Sequence, residues 1–466
     1  MDEFTKINKI TVRPGADSGL WALFLLPLSV IISTIKHSII ATPTYKLASL
    51  VCMGMMLTSV IISMQKWKNQ KLKVINIWIV LASLFTTSLC LLCLHKGFVF
   101  SLLSGLWSTL IFMVIYKYIL RKFKECFTLG EAGIVSQGIV ILIYFTIMNV
   151  LNHSTRSTPF KSNMQISTLI IQIGMLGIAV IAYTSHSFNI RGTKSFYFLA
   201  IAVIFILIFL PLHLLLKCSP VLWIINQMID DWSSLKLIMF WIFCSVVAVL
   251  AISKQILYAQ KSSTTTRKVF HLLAVVVYIP GLIYKCSFLY LASGVVTGIF
   301  FALEILRLLQ MPPLGTHLQE GFVVFSDEKD GNVALTPIYL LAGCSLPIWI
   351  HPSPCDVTNS ATFTLLPLLS GLLAIGVGDT AASVVGSNFG RHFWPGTKKT
   401  IEGTAACIIS QVGLIFIILY FGFLPDLVPE TSFRILLAII TSSIVEAKTT
   451  QVDNLVLPLI MYIILI

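Results

Sequence analysis

Apolar residues dominate this chain in long runs, broken by short polar segments. The runs fall at about 20–35, 46–64, 74–94, 98–119, 131–151, 166–186, 196–216, 236–253, 269–285, 287–306, 335–350, 364–386, 404–422, 433–447 and 455–466. Most approach the roughly 20 residues that a helix needs to cross a bilayer. Only helices and closed barrels satisfy their backbone polar groups in lipid, and unbroken apolar runs exclude the alternation of a barrel strand. The pattern therefore predicts an all-α polytopic membrane protein with about 13–16 transmembrane helices. The run Val221–Ile229 is too short to span and reads as a re-entrant or interfacial piece. The longest polar stretch, 310–334, reads as a loop, a flap over a site being one role for it.

Composition agrees: 57% of the 466 residues are hydrophobic and 11% are charged, where a soluble domain carries about a quarter charged residues. The net charge of +13 does not indicate nucleic acid, because the basic residues sit in the short loops between apolar runs. There they act as topology signals. Lys66, Lys68, Lys71 and Lys73 follow the second run; Lys117, Arg121, Lys122 and Lys124 follow the fourth; Arg191 and Lys194 follow the sixth; Lys254, Lys261, Arg267 and Lys268 follow the eighth. All are even-numbered exits on the side of the N-terminal tail, which is expected to face the cytosol. The odd exits are poor in cations, and one carries the sequon Asn152-His153-Ser154. No cleavable signal peptide is expected, since Leu20–Ile35 lacks a small-residue cleavage site after it. The ten cysteines lie mostly within apolar runs and show no metal-ligand spacing, so they read as small buried hydrophobes.

One stretch, Gly376 to Thr404, concentrates the chemistry. Asp379 ends the apolar run Leu365–Val377, where an unpaired charge costs several kcal/mol, so it is a functional candidate. Ala382, Gly386 and Gly390 follow at four-residue spacing, a smooth face that suits close helix packing or the approach of a ligand. A polar loop then carries Gly396, Lys398, Lys399 and Thr400, with Glu402 and Gly403 beyond. Acid, smooth face, paired lysines and second acid are the parts that hold a metal-bound phosphate. Other acids inside or bordering apolar runs of this half are Glu304, Glu446 and Asp453. Glu304 and Arg307, three residues apart, suit an ion pair as well as a catalytic role. A helix end and a charged turn explain Glu446 and Asp453 equally well. Arg267 and His271 share a helix face beside Lys268, where they either meet a phosphate or anchor the helix at the interface.

These segments resemble the dolichol kinase family, within the wider polyprenol kinase group. The resemblance is carried by Arg-Lys-Val-Phe-His (267–271), Pro-Leu-Gly (313–315), Asp-Glu-Lys-Asp (327–330) and Ser-Leu-Pro-Ile-Trp (345–349). It continues through Gly-Val-Gly-Asp-Thr (376–380), Trp-Pro-Gly-Thr-Lys-Lys-Thr-Ile-Glu-Gly-Thr (394–404) and Thr-Thr-Gln-Val-Asp-Asn-Leu (449–455). In the first half only Thr-Leu-Gly-Glu-Ala (128–132) is similar. The resemblance implies CTP-dependent phosphorylation of dolichol, or another long polyprenol, in the endoplasmic reticulum membrane, for dolichyl phosphate and protein glycosylation. It places the nucleotide along 394–404, which includes Thr397 and Thr404.

Phosphoryl transfer needs charge neutralisation and in-line positioning, and Mg²⁺ prefers one or two carboxylates plus phosphate oxygens. Asp379 is therefore assigned to the metal or to the substrate hydroxyl, with Glu402 as the second carboxylate. Mg²⁺ is the favoured cation and Ca²⁺ the other candidate. Lys398 and Lys399 would hold the phosphates, with Thr400 and the Gly396 and Gly403 backbones lining the loop. Arg267, Lys268 and His271 are further phosphate candidates. The chain is expected to divide into an N-terminal transmembrane region, 1–255, with little motif content, and a catalytic region, 256–466, with a cytosolic nucleotide-binding loop at 387–403. A CTP-dependent lipid cytidylyltransferase and a polytopic transporter are the alternatives; the absence of detectable repeats weighs against the second.

Overall fold

The computed structural model describes residues 3–155, 162–190, 192–229, 231–257, 264–325, 331, 333–356, 358–425 and 428–466. Among the described residues the fold is helical, with a single isolated bridge between Phe393 and Thr400. The helices are α1 (Leu20–Lys36), α2 (Pro43–Trp67), α3 (Ile77–Leu94), α4 (Phe98–Lys122), α5 (Leu129–Thr155), α6 (Asn163–Ser187), α7 (Thr193–Leu216), α8 (Pro220–Ile229) and α9 (Trp232–Leu257). They continue as α10 (Thr264–Tyr284), α11 (Cys286–Leu308), α12 (Gly315–Phe325), α13 (Leu335–Ile350), α14 (Leu372–Phe389), α15 (Ile401–Tyr420), α16 (Pro429–Lys448) and α17 (Asp453–Leu465). Among the described residues, ten helices are long and apolar enough to cross a membrane and five more are shorter apolar helices. Local chemistry fixes their starts. Thr42 accepts a hydrogen bond from the Tyr45 amide, and Pro43 fills the first helical position of α2. Large side chains left exposed, such as Phe198 and Phe205 on α7 and Phe243 on α9, are the surface that lipid covers.

Contacts between loops sort them onto two ends of the bundle. At one end the segment around Arg13 meets Glu131 and Thr450, Asn8 meets Gln70, Lys122 meets His186, and Tyr197 meets Pro312. At the other, Asn152 meets Thr44, the His37 and His351 rings lie 4.8 Å apart at a tilt, and Lys285 pairs with Asp231. This alternation is the one the Lys/Arg bias anticipates: the cation-rich loops that are described share the first end, and the sequon asparagine lies at the second.

Two packing cores meet through the same elements. One gathers α1–α5 with Tyr339 of α13 and Val456 and Tyr462 of α17. The other gathers α10, α11 and α13–α16 with Leu457 and Met461 of α17. The final helix thus wedges between both cores, its two faces shared.

Two features of the fold depart from the sequence reading. Residues 315–325 of the polar stretch form a helix, because Arg307 reaches across to Gln319 at 2.6 Å and lies over the Phe322 ring at 4.0 Å. The Asp-Glu-Lys-Asp segment (327–330) lies outside the described residues. Cys286 and Cys355 are not isolated hydrophobes but a disulfide, at the second end of the bundle. Their 69-residue separation hid the pairing, which only the return of the chain between α13 and α14 creates.

Candidate functional site

The site forms where α10, α14, α15, α16 and α17 meet at the first end. The first two turns of α14, Leu372–Asp379, adopt the wide π geometry, which recurs at functional sites because it re-aims the residue at its close. That residue is Asp379, 4% exposed. The glycines before it let neighbours close in on both sides. A methyl group on Gly376 would sit 2.2 Å from Val275 of α10, and one on Gly378 would sit 2.7 Å from the Gln411 amide of α15. With α10 drawn in, Lys268 pairs with Asp379, and His271 Nε2 lies 3.8 Å from its Oδ2. The Arg267 side chain lies outside the described residues.

The small-residue face is a packing surface first. A Cβ on Gly403 would come within 2.8 Å of the Ala382 carbonyl, and one on Gly386 within 2.9 Å of the Thr400 hydroxyl. This face receives the start of α15, and its far edge borders a cavity. Between the two helices the chain turns back on itself. Trp394-Pro395-Gly396-Thr397 closes a tight turn, with the Thr397 amide donating to the Trp394 carbonyl at 3.1 Å and Gly396 at φ +74°. Proline then glycine at positive φ is the signature of a type II turn. Trp394 N bonds Lys399 O at 2.9 Å, and Ile401 N bonds His392 O at 2.8 Å. Thr400 caps α15 by accepting from the Gly403 amide, and the Trp394 indole donates to Thr404 Oγ1 at 2.9 Å. Gly396 and Thr397 occupy the turn tip, whereas Lys398, Lys399, Thr400, Gly403 and Thr404 line the cavity.

Lys399 turns inward, pairing with Glu446 of α16, 2% exposed, and lying 3.9 Å from Asp453 Oδ2 at the start of α17. Burial opposes its charge, but Asp453, Glu446 and Asp379 outweigh that and hold the Lys399 ammonium well above the ordinary lysine pKa. Lys398 is exposed at the mouth. One oxygen from each of Asp379, Glu446 and Asp453 lies within 4.8 Å of the others. These hard oxygen donors, sharing a cavity of about 570 Å³ with Lys268, Lys398 and Lys399, fit a hard divalent cation such as Mg²⁺ or Ca²⁺.

The structure does not bring Glu402 to this cluster. Its carboxylate accepts from the His392 amide at 3.2 Å and lies 2.6 Å from His392 Nδ1, outside the cavity wall. Of the five acids singled out in this half, Asp379, Glu446 and Asp453 converge. Glu304 is held by Arg307 in a two-pronged pair at 2.6 and 2.8 Å and accepts from the Ala334 amide, a structural arrangement.

Buried acids paired with lysines around a membrane-boundary cavity, in a bundle of apolar helices, suit a membrane-embedded phosphotransferase. A dolichol kinase family profile matches residues 80–338. The dolichol kinase of Mus musculus is 38% identical over 372 residues, 76% of this chain and 68% of the relative, and that of Homo sapiens is 36% identical over 373 residues with the same coverage. A dolichol kinase of Arabidopsis thaliana is 28% identical, covering 90% of this chain and 80% of the relative. The chain belongs to the dolichol kinase family. No solved structure matches it. The match from residue 80 shows that likeness to the family extends into the first half, well ahead of most of the motifs that suggested it.

Proposed function

We propose that this cavity transfers the γ-phosphate of CTP to the terminal hydroxyl of dolichol, giving dolichyl phosphate and CDP. The observation that carries the reading is the convergence of three carboxylates from three helices beside two lysines. Asp379, Glu446 and Asp453 would hold the divalent cation, which neutralises phosphate charge when bound. Lys399 and Lys398 would hold the triphosphate, Lys399 giving up its pairing with Glu446 and Asp453 to do so. The turn 394–397 and the capped start of α15 fix where those ammonium groups can reach.

The acceptor approaches from the bilayer, since its tail is apolar and the cavity lies against membrane helices. Asp379 is buried and is oriented by Lys268; it receives the hydroxyl proton as the new O–Pγ bond forms and the bond to the β-phosphate oxygen breaks. His271 stands close enough to Asp379 to take part in placing that proton. An endoplasmic reticulum location with the cavity end facing the cytosol completes the reading. The described cation-rich loops share that end. The Cys286–Cys355 disulfide and Asn152 occupy the opposite end, as an oxidising lumen would favour.

Purified protein supplied with dolichol and CTP labelled at either the α or the γ position tests the reaction. Label from the γ position alone should enter the lipid. Label from the α position would instead identify a cytidylyltransferase and overturn the reading.

A further inference from the structure

The acidic turn that carries Asp453 is not held by its own half of the chain. Thr128 and Glu131 form a capping box at the start of α5: the Glu131 amide donates to Thr128 Oγ1 at 3.2 Å, and the Thr128 amide donates back to Glu131 Oε2 at 3.0 Å. A capping glutamate is ordinarily a surface residue. Glu131 is 0% exposed, pairs with the buried Arg13 at 2.7 Å, and accepts from the Val452 amide at 2.7 Å. Arg13 also donates to the Thr450 carbonyl at 2.9 Å. Between those two anchors, the Gln451 side chain accepts from the Thr128 hydroxyl and donates to Asp17, while the Asp17 amide donates to the Thr450 hydroxyl at 3.0 Å. Three consecutive residues, 450 to 452, are thus tied to the first half of the chain, and the next residue is Asp453.

A buried ion pair adds little stability over apolar residues of the same size, because desolvation offsets its attraction. What this pair does supply is direction. Glu131 and Arg13 each hold one backbone group of the turn, and so set the angle at which α16 ends with Glu446 and α17 begins with Asp453.

We propose that Arg13 and Glu131 are positioning residues for the reaction, holding the 450–452 turn so that Asp453 and Glu446 meet Asp379 at cation-binding distance. This rests on the cavity being the cation and phosphate site. It gives the 128–132 motif a role that cavity lining does not explain. Outer contacts that orient metal ligands are worth about 10- to 100-fold in metal affinity or activity.

The test uses full-length protein in detergent, with Mn²⁺ binding followed by electron paramagnetic resonance and turnover measured separately. Glu131→Gln keeps an oxygen for the Val452 amide and removes the charge that Arg13 needs. It should weaken Mn²⁺ binding and lower kcat about 10-fold each, with an unchanged Michaelis constant for dolichol. In an Asp453→Asn background the same change should have little further effect on Mn²⁺ binding, because the ligand it positions is gone. Gln451→Met, which keeps the ion pair and loses the flanking hydrogen bonds, should move Mn²⁺ binding in the same direction by a smaller factor. It serves if Glu131→Gln does not fold. Altered thermal stability with unchanged Mn²⁺ affinity and kcat, while Asp453→Asn alone weakens Mn²⁺ binding, would overturn the positioning role and leave the cavity reading intact. Unchanged Mn²⁺ binding in Asp453→Asn itself would overturn the cavity reading, and the proposal with it.

Discussion

Replacing Lys399 with methionine should move two measured quantities in opposite directions. The ammonium lies 3.9 Å from Asp453 Oδ2 and against Glu446. At that distance and an effective dielectric of about 20, attraction to Asp453 alone is about 4 kcal/mol. The lysine side chain is 40% exposed, so screening reduces this to roughly 2 kcal/mol. A cation entering the acidic cluster must first displace Lys399, and that attraction opposes it. Methionine keeps the length and apolar stem but offers no competition, so Mn²⁺ should bind roughly 30-fold more tightly, about 2 kcal/mol in an equilibrium constant. The same change removes the proposed phosphate contact, so the Michaelis constant for CTP should rise by about the same factor. Titration of nucleotide-free protein with Mn²⁺, followed by electron paramagnetic resonance, reads the first effect; steady-state kinetics with varied CTP read the second. Weaker Mn²⁺ binding, or an unchanged Michaelis constant for CTP, would refute the idea that Lys399 alternates between acids and phosphate.

Asp379→Asn keeps volume and removes a buried carboxylate of the cluster, so turnover should fall about 10³-fold or more in a protein that still inserts, measured on detergent-purified variant. Lys398→Ala removes the exposed cation at the mouth and should raise the Michaelis constant for CTP about 10-fold while leaving Mn²⁺ binding alone, which separates it from Lys399. Gly403→Ala puts a methyl group 2.8 Å from the Ala382 carbonyl, a backbone contact that cannot yield. A loss of about 1–3 kcal/mol should appear as a lower melting temperature, with activity reduced alongside it. A cysteine placed at Gly396 should react with an impermeant maleimide in sealed microsomes; labelling only after permeabilisation would reverse the orientation.

Sequence reasoning reached the helical architecture and the alternation of ends, and singled out Asp379, because each depends on local pattern. Long apolar runs dictate helices in lipid, and an acid ending such a run has few bland explanations. Lys399 was visible for the same reason, although nothing in the sequence distinguished it from Lys398. That distinction arises from the hairpin around Gly396, which turns one lysine inward and leaves the other at the mouth. Glu402 looked like the second acid because it is adjacent to the lysines. Adjacency in sequence does not carry it into the cluster: it follows the Thr400 cap and folds back onto His392. Glu446 and Asp453 were visible as acids bordering apolar runs, but a helix end and a turn accounted for them locally. Their meeting with Asp379 depends on α16 and α17 packing against the π turn of α14, a long-range event that no spacing encodes. The reach of Glu131 to Val452 was equally hidden, since a capping box is a complete local explanation of a threonine and a glutamate three residues apart.

The contacts around Arg13 also bear on the order in which the protein folds. Arg13 and Thr450 are 437 positions apart, and Glu131 and Val452 are 321. Contacts of such sequence separation close large loops and form late, after local helical hairpins are in place. The acidic turn therefore acquires its final geometry only when early and late helices have found one another. Partly inserted intermediates would carry the hairpin around Gly396 and most of the cavity wall while lacking the aligned acidic cluster. Activity would then appear abruptly, in a single late step, rather than growing as helices accumulate in the membrane.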